Sequence, residues 1–534
     1  MPQSIASIAL ERRVDALFSH CTLPGSPGAA VAVVHGSHVE LCKGYGLASI
    51  ELGVPITPRT RFRIASVSKQ FTVTAALMLA ADGKLKLGDP PHKYLGGLAP
   101  LPVTIDQMMR NSSGLPDFLE LMRLGGHGLD KPARAIDLLD TCVRNCHLNF
   151  KPASRFLYSN TNFLLLGRIV ERITGKKLGE VLAERIFRPL GMTDTVLEAD
   201  IDTVIPGLAS GYLGDSASGF RRSQHAYPQG GEGGITSTVE DLLIWSRHFD
   251  NPALGSHLPR QLAAIAPLSD GHANHYRRGV AVGNLRGFET VGHGGLWPGF
   301  RTEFLRVPAA SLTVVVIANL GSLDPWRLAR AIAVEALAGD KRLRPALPPI
   351  SAAEIRPIAG TWYNADEPSL FDLAWRNGEA VVTQNGIPFV LGRRPGDWLG
   401  AERGAFEFML KPGRRGTVRV DLGAGRVLAF KKLGRRKAVP AAIAGTYFST
   451  DSGASWHIRR GGADYTVAVR GPLIAGGAPW TVQGLDADTV EITTPGPWLA
   501  VSQLARLQRD RAGRVTALRV STSRIKNMIF ERVA

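Results

Sequence analysis

The amino-acid sequence predicts an α+β fold in which a large mixed domain is followed by two small antiparallel β-barrel domains. Residues 1–340 combine strand-like apolar runs with longer stretches rich in Ala and Leu, a composition that favours helix. Residues 351–534 contain short alternating strands separated by glycine-containing turns, as in barrels and sandwiches. The motif Ile358–Tyr363 also recurs as Ile443–Phe448. An internal repeat of this kind indicates two similar β-domains.

The chain is long enough for several domains, each with its own core, because it has 534 residues of which 44% are hydrophobic. A basic, proline-rich stretch without periodicity separates the mixed region from the β-rich region and reads as a linker. The predicted limits are 1–340 for the mixed domain, 341–350 for the linker, 351–440 for the first barrel and 441–534 for the second.

The net charge of +17 raises the question of a nucleic-acid partner. The densest basic run is Lys431–Lys437, but no aromatic residues alternate with its charges and no known nucleic-acid module accompanies it. Lysines at a strand edge also prevent edge-to-edge aggregation. We therefore interpret this run as a solvated turn and expect no nucleic-acid partner.

The N-terminal sequence and the cysteines indicate the cellular compartment in which the protein is expected. Leu10, Val14 and Leu17 recur at helical spacing among charged residues, which predicts an amphipathic helix and not a signal peptide. No apolar run reaches the length of a membrane span. The four cysteines form no Cys-x-x-Cys pair, so we expect reduced thiols and no metal site. These features predict a cytoplasmic protein without a membrane partner.

The first strands of the chain lead to a candidate nucleophile. Gly28–Val34 and His38–Tyr45 predict a β-hairpin, and an apolar helix is expected over Val73–Ala81. Ser66 and Lys69 lie three residues apart near the beginning of that helix and therefore share one face. A serine hydroxyl needs a nearby base to become a nucleophile, and a lysine can serve once burial lowers its pKa. The alternative is a helix-capping serine followed by a surface lysine.

Two further segments carry polar residues beside predicted core elements. Tyr158 and Asn160 precede a core helix near residues 163–170, where they are either functional or a core aromatic and a helix cap. His293 precedes Gly294 and Gly295, and glycines allow a backbone to approach a ligand closely. A lone histidine is more often structural than catalytic. The glycine-rich turn 230–238 lacks the features of a phosphate loop.

Taken in order, Ser66-x-x-Lys69, Tyr158-x-Asn160 and His293-x-Gly295 resemble the motifs of the penicillin-recognising serine hydrolases. That family includes class C β-lactamases and D-alanyl-D-alanine carboxypeptidases, and the resemblance implies a β-lactamase/transpeptidase-like fold for residues 1–340. The stretch Ser66–Thr72, the His-Gly-Gly form of the third motif and the two trailing β-domains are similar to the bacterial D-aminopeptidases. Those cytoplasmic enzymes release N-terminal D-residues from peptides, amides and esters.

The resemblance implies a role for each matching residue. Ser66 forms the acyl-enzyme, Lys69 accepts and donates the proton, and Tyr158 assists as a base or proton relay. Asn160 binds the substrate amide, and His293 replaces the lysine that most relatives carry in the third motif. Gly294, Gly295 and Leu296 belong to the oxyanion-binding strand, with the N–H groups of Ser66 and Leu296 as donors. The resemblance further implies no metal or organic cofactor, inhibition by β-lactams and a homodimer.

One stretch departs from the D-aminopeptidase pattern. In that family a loop of the last domain carries an acid that binds the substrate's free amino group. Here the corresponding stretch, Thr493–Leu499, contains Pro495 and Trp498 but no acid, and three acids, Asp486, Asp488 and Glu491, lie just before it. Without such an acid the site would favour esters or blocked substrates, because a desolvated ammonium needs a paired acceptor.

Three function hypotheses follow. The first is a D-aminopeptidase acting on small peptides, amides or esters. The second is an esterase or a carboxypeptidase or β-lactamase-like hydrolase without amine specificity. The third is a non-enzymatic binding protein on the same fold.

Overall fold

The computed structural model describes residues 5–128, 130–198, 200–224, 226–384, 386–403, 406–422, 426–474, 477–495 and 501–533. Its helices are α1 (Ile5–Leu17), α2 (Ser68–Ala81), α3 (Ile105–Met109), α4 (Phe118–Leu124), α5 (Ala135–Arg144), α6 (Asn160–Thr174), α7 (Leu178–Leu182), α8 (Arg188–Leu190), α9 (Val239–Asp250), α10 (His257–Leu262), α11 (Pro325–Ala336) and α12 (Ala352–Ile355). Single 3₁₀ turns span Ser19–Thr22, Ala65–Val67, Pro91–Lys93, Pro308–Ala310, Arg356–Ile358 and Ala441–Ile443, and a π turn spans Ala183–Phe187.

The strands of the mixed region are β1 (Ala29–His35), β2 (His38–Tyr45), β3 (Leu47–Ser49), β4 (Val54–Pro55), β5 (Phe62–Arg63), β6 (Val196–Leu197), β7 (Tyr212–Asp215), β8 (Gly219–Arg222), β9 (Ile235–Ser237), β10 (Ala281–Leu285), β11 (Phe288–Trp297), β12 (Phe300–Val307) and β13 (Leu312–Ala318). Six of them form an antiparallel sheet in the order β10-β11-β12-β13-β1-β2. The predicted hairpin at residues 28–45 is confirmed as β1 and β2.

This sheet is apolar on both faces, which explains the unbroken apolar run in β1. Ala30, Ala32 and Val34 pack into the core that contains α2, α6 and α9. Val31 and Val33 point to the opposite face and pack into the core that contains α1 and α11. Successive side chains of a strand alternate between faces, so helices on both sides require apolar residues at every position.

The β-rich region contains two antiparallel barrels. The first is built from β14 (Gly360–Asn364), β15 (Ser369–Arg376), β16 (Glu379–Gln384), β17 (Ile387–Val390), β18 (Gly392–Arg394), β19 (Trp398–Arg403), β20 (Phe406–Pro412), β21 (Thr417–Asp421) and β22 (Val427–Lys432). Its sheet runs from β17 to β18, two strands joined in the chain by Leu391 alone, so it is nearly closed.

The second barrel is closed. It is built from β23 (Gly445–Ser449), β24 (Ala454–Gly461), β25 (Asp464–Arg470), β26 (Trp480–Gly484), β27 (Thr489–Thr494), β28 (Val501–Arg509), β29 (Val515–Ser521) and β30 (Met528–Arg532). Closure removes the exposed strand edges that would otherwise pair with other chains. The expectation of two small antiparallel barrels is confirmed.

The repeated sequence forms a similar hydrogen bond at the first strand of each barrel. Trp362 Nε1 donates to the Ile358 carbonyl at 2.9 Å, and Tyr447 Oη donates to the Ile443 carbonyl at 2.9 Å. Both aromatic side chains are buried at the start of their barrel. The repeated Ile-Ala-Gly-Thr-aromatic pattern therefore anchors the incoming chain to the first strand in the same way twice.

The second barrel is joined to the mixed domain through its core. Leu121 and Leu124 of α4 are buried among the apolar residues of this barrel, and Trp456 Nε1 donates to the Leu124 carbonyl at 2.9 Å. Asp451 accepts from the Cys146 N–H and from the His147 ring. The domain limits at 340, 350 and 440 remain a proposal.

Candidate active site

Ser66 lies where β5 meets α2, in the 3₁₀ turn Ala65–Val67. Ala65, directly before it, has a φ of +48°, a left-handed conformation that side chains rarely adopt. Ala65 and Val67 are buried, whereas Ser66 is partly exposed and lines a cavity. Strained conformations of this kind persist only where the surrounding structure holds them, and they cluster at functional sites.

Lys69 is fully buried and its amine points at Ser66. Lys69 Nζ lies 2.9 Å from Ser66 Oγ, 3.0 Å from Asn160 Oδ1 and 2.5 Å from the Glu232 carbonyl oxygen. Burial, together with the nearby Arg524 cation, lowers the pKa of Lys69 to about 7 against the opposing effect of Glu232 and Asp117. Near neutral pH a large fraction of the amine is therefore uncharged.

The contacts of Lys69 fit a neutral amine, which has two N–H groups and one lone pair. Asn160 Nδ2 donates to Asp117 at 2.9 Å, which fixes Asn160 Oδ1 as the atom facing the amine. Asn160 Oδ1 and the Glu232 carbonyl can only accept, so they take the two N–H groups. Ser66 Oγ is the third neighbour: the ammonium form of Lys69 donates to it, whereas in the neutral form the remaining lone pair can accept from the Ser66 hydroxyl.

Tyr158 lies just before α6 and completes this cluster. Its side chain is buried and makes a hydrogen bond with Ser66. Burial raises the pKa of Tyr158, so its phenol stays protonated at neutral pH. The Lys69 amine and the Arg524 guanidinium carbon each lie 5.0 Å from the ring centre.

His293, Gly294, Gly295 and Leu296 lie on β11, which runs alongside the Ser66 turn. A Cβ atom on Gly295 would lie 2.3 Å from the Ile64 carbonyl oxygen, so only glycine allows this approach. The His293 imidazole is buried; Nδ1–H donates to the Gly294 carbonyl at 2.6 Å, and Nε2 accepts from Tyr276 Oη at 2.9 Å. Burial lowers the pKa of His293 to about 3, with a further contribution from Lys69, so its ring is neutral.

Sequence reasoning did not identify Glu232 and Tyr276 as parts of this cluster. Glu232 lies in the glycine-rich turn, is buried, and accepts from the Gly230 N–H at 3.0 Å and 3.2 Å; burial raises its pKa. The sequence signal was a single acid among four glycines, since closely spaced glycines allow a turn to pack tightly against another element. Indeed a Cβ on Gly231 would lie 2.7 Å from the Phe163 carbonyl oxygen.

The residues singled out in the last domain lie in different places. Pro495 lines the cavity over Ser66, and Trp498 lies outside the described residues. Asp486 and Asp488 lie in the turn between β26 and β27. Neither is among the described residues that line the cavity, and Asp488 forms an ion pair with Arg509 at 2.8 Å. Contact of these residues with the substrate stays a prediction.

A different segment of the second barrel enters the site. The connection between β29 and β30 carries Arg524 and Lys526 into the cavity wall. The cavity has a volume of about 940 Å³ and is lined by residues of the mixed domain and of both barrels. The barrels therefore form part of the candidate active site.

The chain is similar to proteins of known family. Residues 14–338 match the Beta-lactamase family model. The chain is 32% identical over 320 residues to a D-aminopeptidase of Gluconobacter oxydans, covering 59% of each protein. It is also 32% identical over 297 residues to a D-aminopeptidase of Brucella anthropi, covering 55% of this chain and 56% of the relative. The matched region thus spans less than two thirds of these relatives.

Solved structures share the fold. The octameric penicillin-binding protein homologue of Pyrococcus abyssi covers 80% of this chain with a TM-score of 0.55 and 20% identity. The D-amino acid amidase of Ochrobactrum anthropi SV3 complexed with D-phenylalanine covers 63% of this chain with a TM-score of 0.53 and 25% identity. The family model covers more than half of the chain and confirms the resemblance carried by the three motifs: this protein belongs to the β-lactamase family.

Proposed function

We propose that the protein is a serine hydrolase that works through an acyl-enzyme on Ser66, and that it acts as a D-aminopeptidase on small peptides, amides and esters. The observation that carries the hydrolase part is the buried Lys69 amine, which lies 2.9 Å from the Ser66 hydroxyl and whose pKa burial lowers to about 7. The names of the 32% identical relatives support the substrate class.

Acylation begins when Ser66 Oγ attacks the substrate carbonyl carbon while its proton moves to Lys69 Nζ. The negative charge that develops on the carbonyl oxygen faces the N–H groups of Ser66 and Leu296. The tetrahedral intermediate collapses by breaking the bond to the leaving group. Tyr158 relays the proton from Lys69 to that group, because its hydroxyl already contacts Ser66. Water then repeats the sequence on the acyl-enzyme and regenerates Ser66.

Asn160 and His293 hold the reacting groups in this mechanism. Asn160 orients Lys69 through its side-chain oxygen, while its amide nitrogen is bound by Asp117. His293 is a positioning residue: it is neutral and its Nδ1–H binds the Gly294 carbonyl, on the strand beside the nucleophile.

The first experiment measures kcat/KM on the 4-nitroanilides of D-alanine, L-alanine and N-acetyl-D-alanine. We expect D-alanine to be turned over best. Turnover of the N-acetylated compound at the same or a higher rate would refute the aminopeptidase part and leave the hydrolase part standing.

A second candidate is a hydrolase of esters or blocked substrates that does not require a free amine. It is favoured by the position of Arg524, a cation beside Tyr158 and Asp117 where an ammonium would be repelled. Turnover of the N-acetyl-D-alanine 4-nitrophenyl ester at least as fast as that of the D-alanine 4-nitrophenyl ester, together with the N-acetyl result above, would identify it.

Labelling of Ser66 distinguishes an enzyme from a non-enzymatic binding protein. A fluorophosphonate probe should label the wild type at Ser66 and fail to label Ser66→Ala. Labelling that is equal in both would refute the assignment of Ser66 as the nucleophile.

The expected inhibition by β-lactams has its own test: penicillins should slow the labelling, since they acylate a serine of this type. Light scattering measures the molar mass in solution and tests the expected homodimer.

No helix in the part of the chain that the structure describes is long and apolar enough to cross a membrane.

A further inference from the structure

The cavity that contains Ser66 also enters the first barrel. Six inward-facing apolar residues at one end of that barrel, which we call the barrel mouth, line the cavity: Phe371 of β15, Phe389 of β17, Ala401 of β19, Phe408 of β20, Leu422 just after β21 and Leu428 of β22. Side chains alternate along a strand, and the next inward positions, such as Leu373, Val420 and Phe430, belong to the buried core. The barrel mouth is thus an end layer of the core that faces the cavity.

Part of the barrel mouth is open to a ligand. Phe389, Leu422 and Leu428 are partly exposed although they pack against the barrel core. Apolar side chains that face a cavity keep part of their surface in contact with water, so an apolar ligand that covers them gains free energy. Ligand pockets of mainly apolar character occur preferentially at domain interfaces and in the mouths of β-barrels, and this cavity combines the two positions.

A cluster of ion pairs holds the barrel mouth against the segment that carries Tyr158. Glu367, in the turn between β14 and β15, accepts from Arg155 of the mixed domain at 2.9 Å and also binds Arg426, which precedes β22. All three residues line the cavity. Arg155 lies three residues before Tyr158, so their Cα atoms are at most about 11 Å apart. Phe156, between them, also lines the cavity.

This position indicates which part of a substrate would enter the barrel mouth. In the proposed mechanism Tyr158 passes a proton to the leaving group, so the leaving group lies next to Tyr158. Phe156 is held beside it by stacking on Tyr276, with ring centres 5.7 Å apart. A leaving group that extends beyond Tyr158 therefore meets Phe156 and then the barrel mouth in the same cavity.

We propose that the mouth of the first barrel is a subsite for a long apolar leaving group, such as an alkyl chain or the apolar side chains of a peptide. The proposal rests on the proposed function in one respect, the roles given to Ser66 and Tyr158. Each methylene buried in the barrel mouth should raise kcat/KM by up to about fourfold. The first barrel would thereby select substrates by the length of the apolar group that the reaction releases.

Two pairs of alkyl esters test the subsite. The butyl and octyl esters of D-alanine differ only in the length of the leaving group. Butyl acetate and octyl acetate repeat the comparison with an acyl group that has no amine. The quantity measured is the ratio of kcat/KM for the octyl ester to that for the butyl ester, from the release of D-alanine or acetate below the solubility limit of the octyl esters.

We expect this ratio to be about 10 or more for the wild type and to fall below about 3 in Leu428→Gln and in Leu422→Gln, because a polar side chain in the barrel mouth loses its hydration when the chain enters. Val427→Gln is the matched control. Val427 precedes Leu428 on β22, points to the opposite face of the strand and is not among the described residues that line the cavity. Its ratio should equal the wild-type ratio, and thermal unfolding checks that each variant is folded in the assay.

A wild-type ratio near one in both pairs overturns the proposal, as does a ratio unchanged in both Leu428→Gln and Leu422→Gln. 4-Nitrophenyl butyrate and 4-nitrophenyl octanoate test the acyl side. If chain length and the two variants affect only that pair, the chain belongs to the acyl group and the assignment to the leaving group is wrong.

Protection of Ser66 against fluorophosphonate labelling supplies a readout that needs no turnover. 1-Octanol should protect better than 1-butanol in the wild type and lose that advantage in Leu428→Gln; equal protection by the two alcohols in the wild type counts against the subsite. Failure of the D-aminopeptidase proposal is separate. It would appear as D-alanine esters that are hydrolysed no faster than acetates, while the octyl-to-butyl ratio of the acetates still reports on the barrel mouth.

Discussion

Lys69 and Tyr158 are both buried next to Ser66, yet burial acts on them in opposite directions. Burial disfavours the charged form of each group, so it lowers the pKa of the lysine and raises the pKa of the tyrosine. At neutral pH the lysine can accept a proton, and the tyrosine carries one that it can donate. The same desolvation thus prepares one base and one acid within contact of the same hydroxyl.

The first prediction concerns the pH dependence of the reaction. Protonated Lys69 has no lone pair, so kcat/KM should fall about tenfold per pH unit below the Lys69 pKa of about 7 and reach a plateau above it. The measurement uses 4-nitrophenyl acetate between pH 5 and 9, because this substrate has no titrating group. A profile that is still rising steeply at pH 9 would show that the pKa of Lys69 is not lowered.

The second prediction concerns His293. Its Nδ1–H and its Nε2 are both engaged and burial lowers its pKa to about 3, so its ring should stay neutral from pH 5 to 8. Histidine carbon and nitrogen chemical shifts followed by NMR test this, with His293→Gln used to assign the signal. An imidazole signal of His293 that titrates near pH 6.5 would mean that the ring is open to solvent or to substrate.

At the scale of elements, the site depends on the close approach of β11 to the Ser66 turn. The approach requires a glycine at position 295, since any Cβ there would overlap the Ile64 carbonyl. Ala65, in the turn that this strand meets, has a left-handed φ of +48°. The strand and the turn come from distant parts of the chain, and their spacing sets the distance between the nucleophile and the proposed oxyanion donors.

The third prediction follows from this contact. Gly295→Ala should lower kcat by about tenfold to a hundredfold, because a displacement of the strand by a fraction of an ångström misaligns the oxyanion donors. Gly88→Ala is the control, since a Cβ at Gly88 meets no atom within 4 Å and its backbone is not left-handed. Both variants are assayed for kcat and for thermal unfolding. Wild-type kcat in Gly295→Ala would show that the strand tolerates the shift.

At the scale of the whole molecule, the second barrel and the mixed domain share a core. Leu124 of α4 is fully buried among barrel residues, and the carbonyl of the same residue accepts from Trp456. The loop that carries Arg524 is bound to Asn149 of the mixed domain. The barrel therefore helps to hold α4, whose N-terminus binds Asp117, which in turn orients Asn160.

The fourth prediction tests this shared core. Leu124→Ala should lower the free energy of unfolding by about 2–5 kcal/mol, because it leaves a cavity between the two domains. Leu52→Ala is the control, since Leu52 is 79% exposed. Denaturant unfolding followed by tryptophan fluorescence gives both values. Equal stability of the two variants would mean that the barrel and α4 are energetically independent.

The fold class, the repeat of the barrels, and the proposed nucleophile with its base could all be predicted from the sequence. These features depend on local patterns: apolar runs in β1, the Ile-Ala-Gly-Thr repeat, and the three-residue spacing of Ser66 and Lys69 on one helix face. Each of these patterns lies within a short stretch of the chain. They can therefore be recognised without knowledge of any tertiary contact.

Which distant residues surround Ser66 became visible only in the folded molecule. Glu232 and Tyr276 contact the cluster through buried turns, and Arg524 reaches it from the other end of the chain. The sequence directed attention to Asp486 and Asp488 because they precede the loop that resembles the family pattern, whereas the barrel register directs the β29–β30 connection into the cavity. Strand register and domain docking depend on the packing of whole surfaces, and no short stretch of sequence records them.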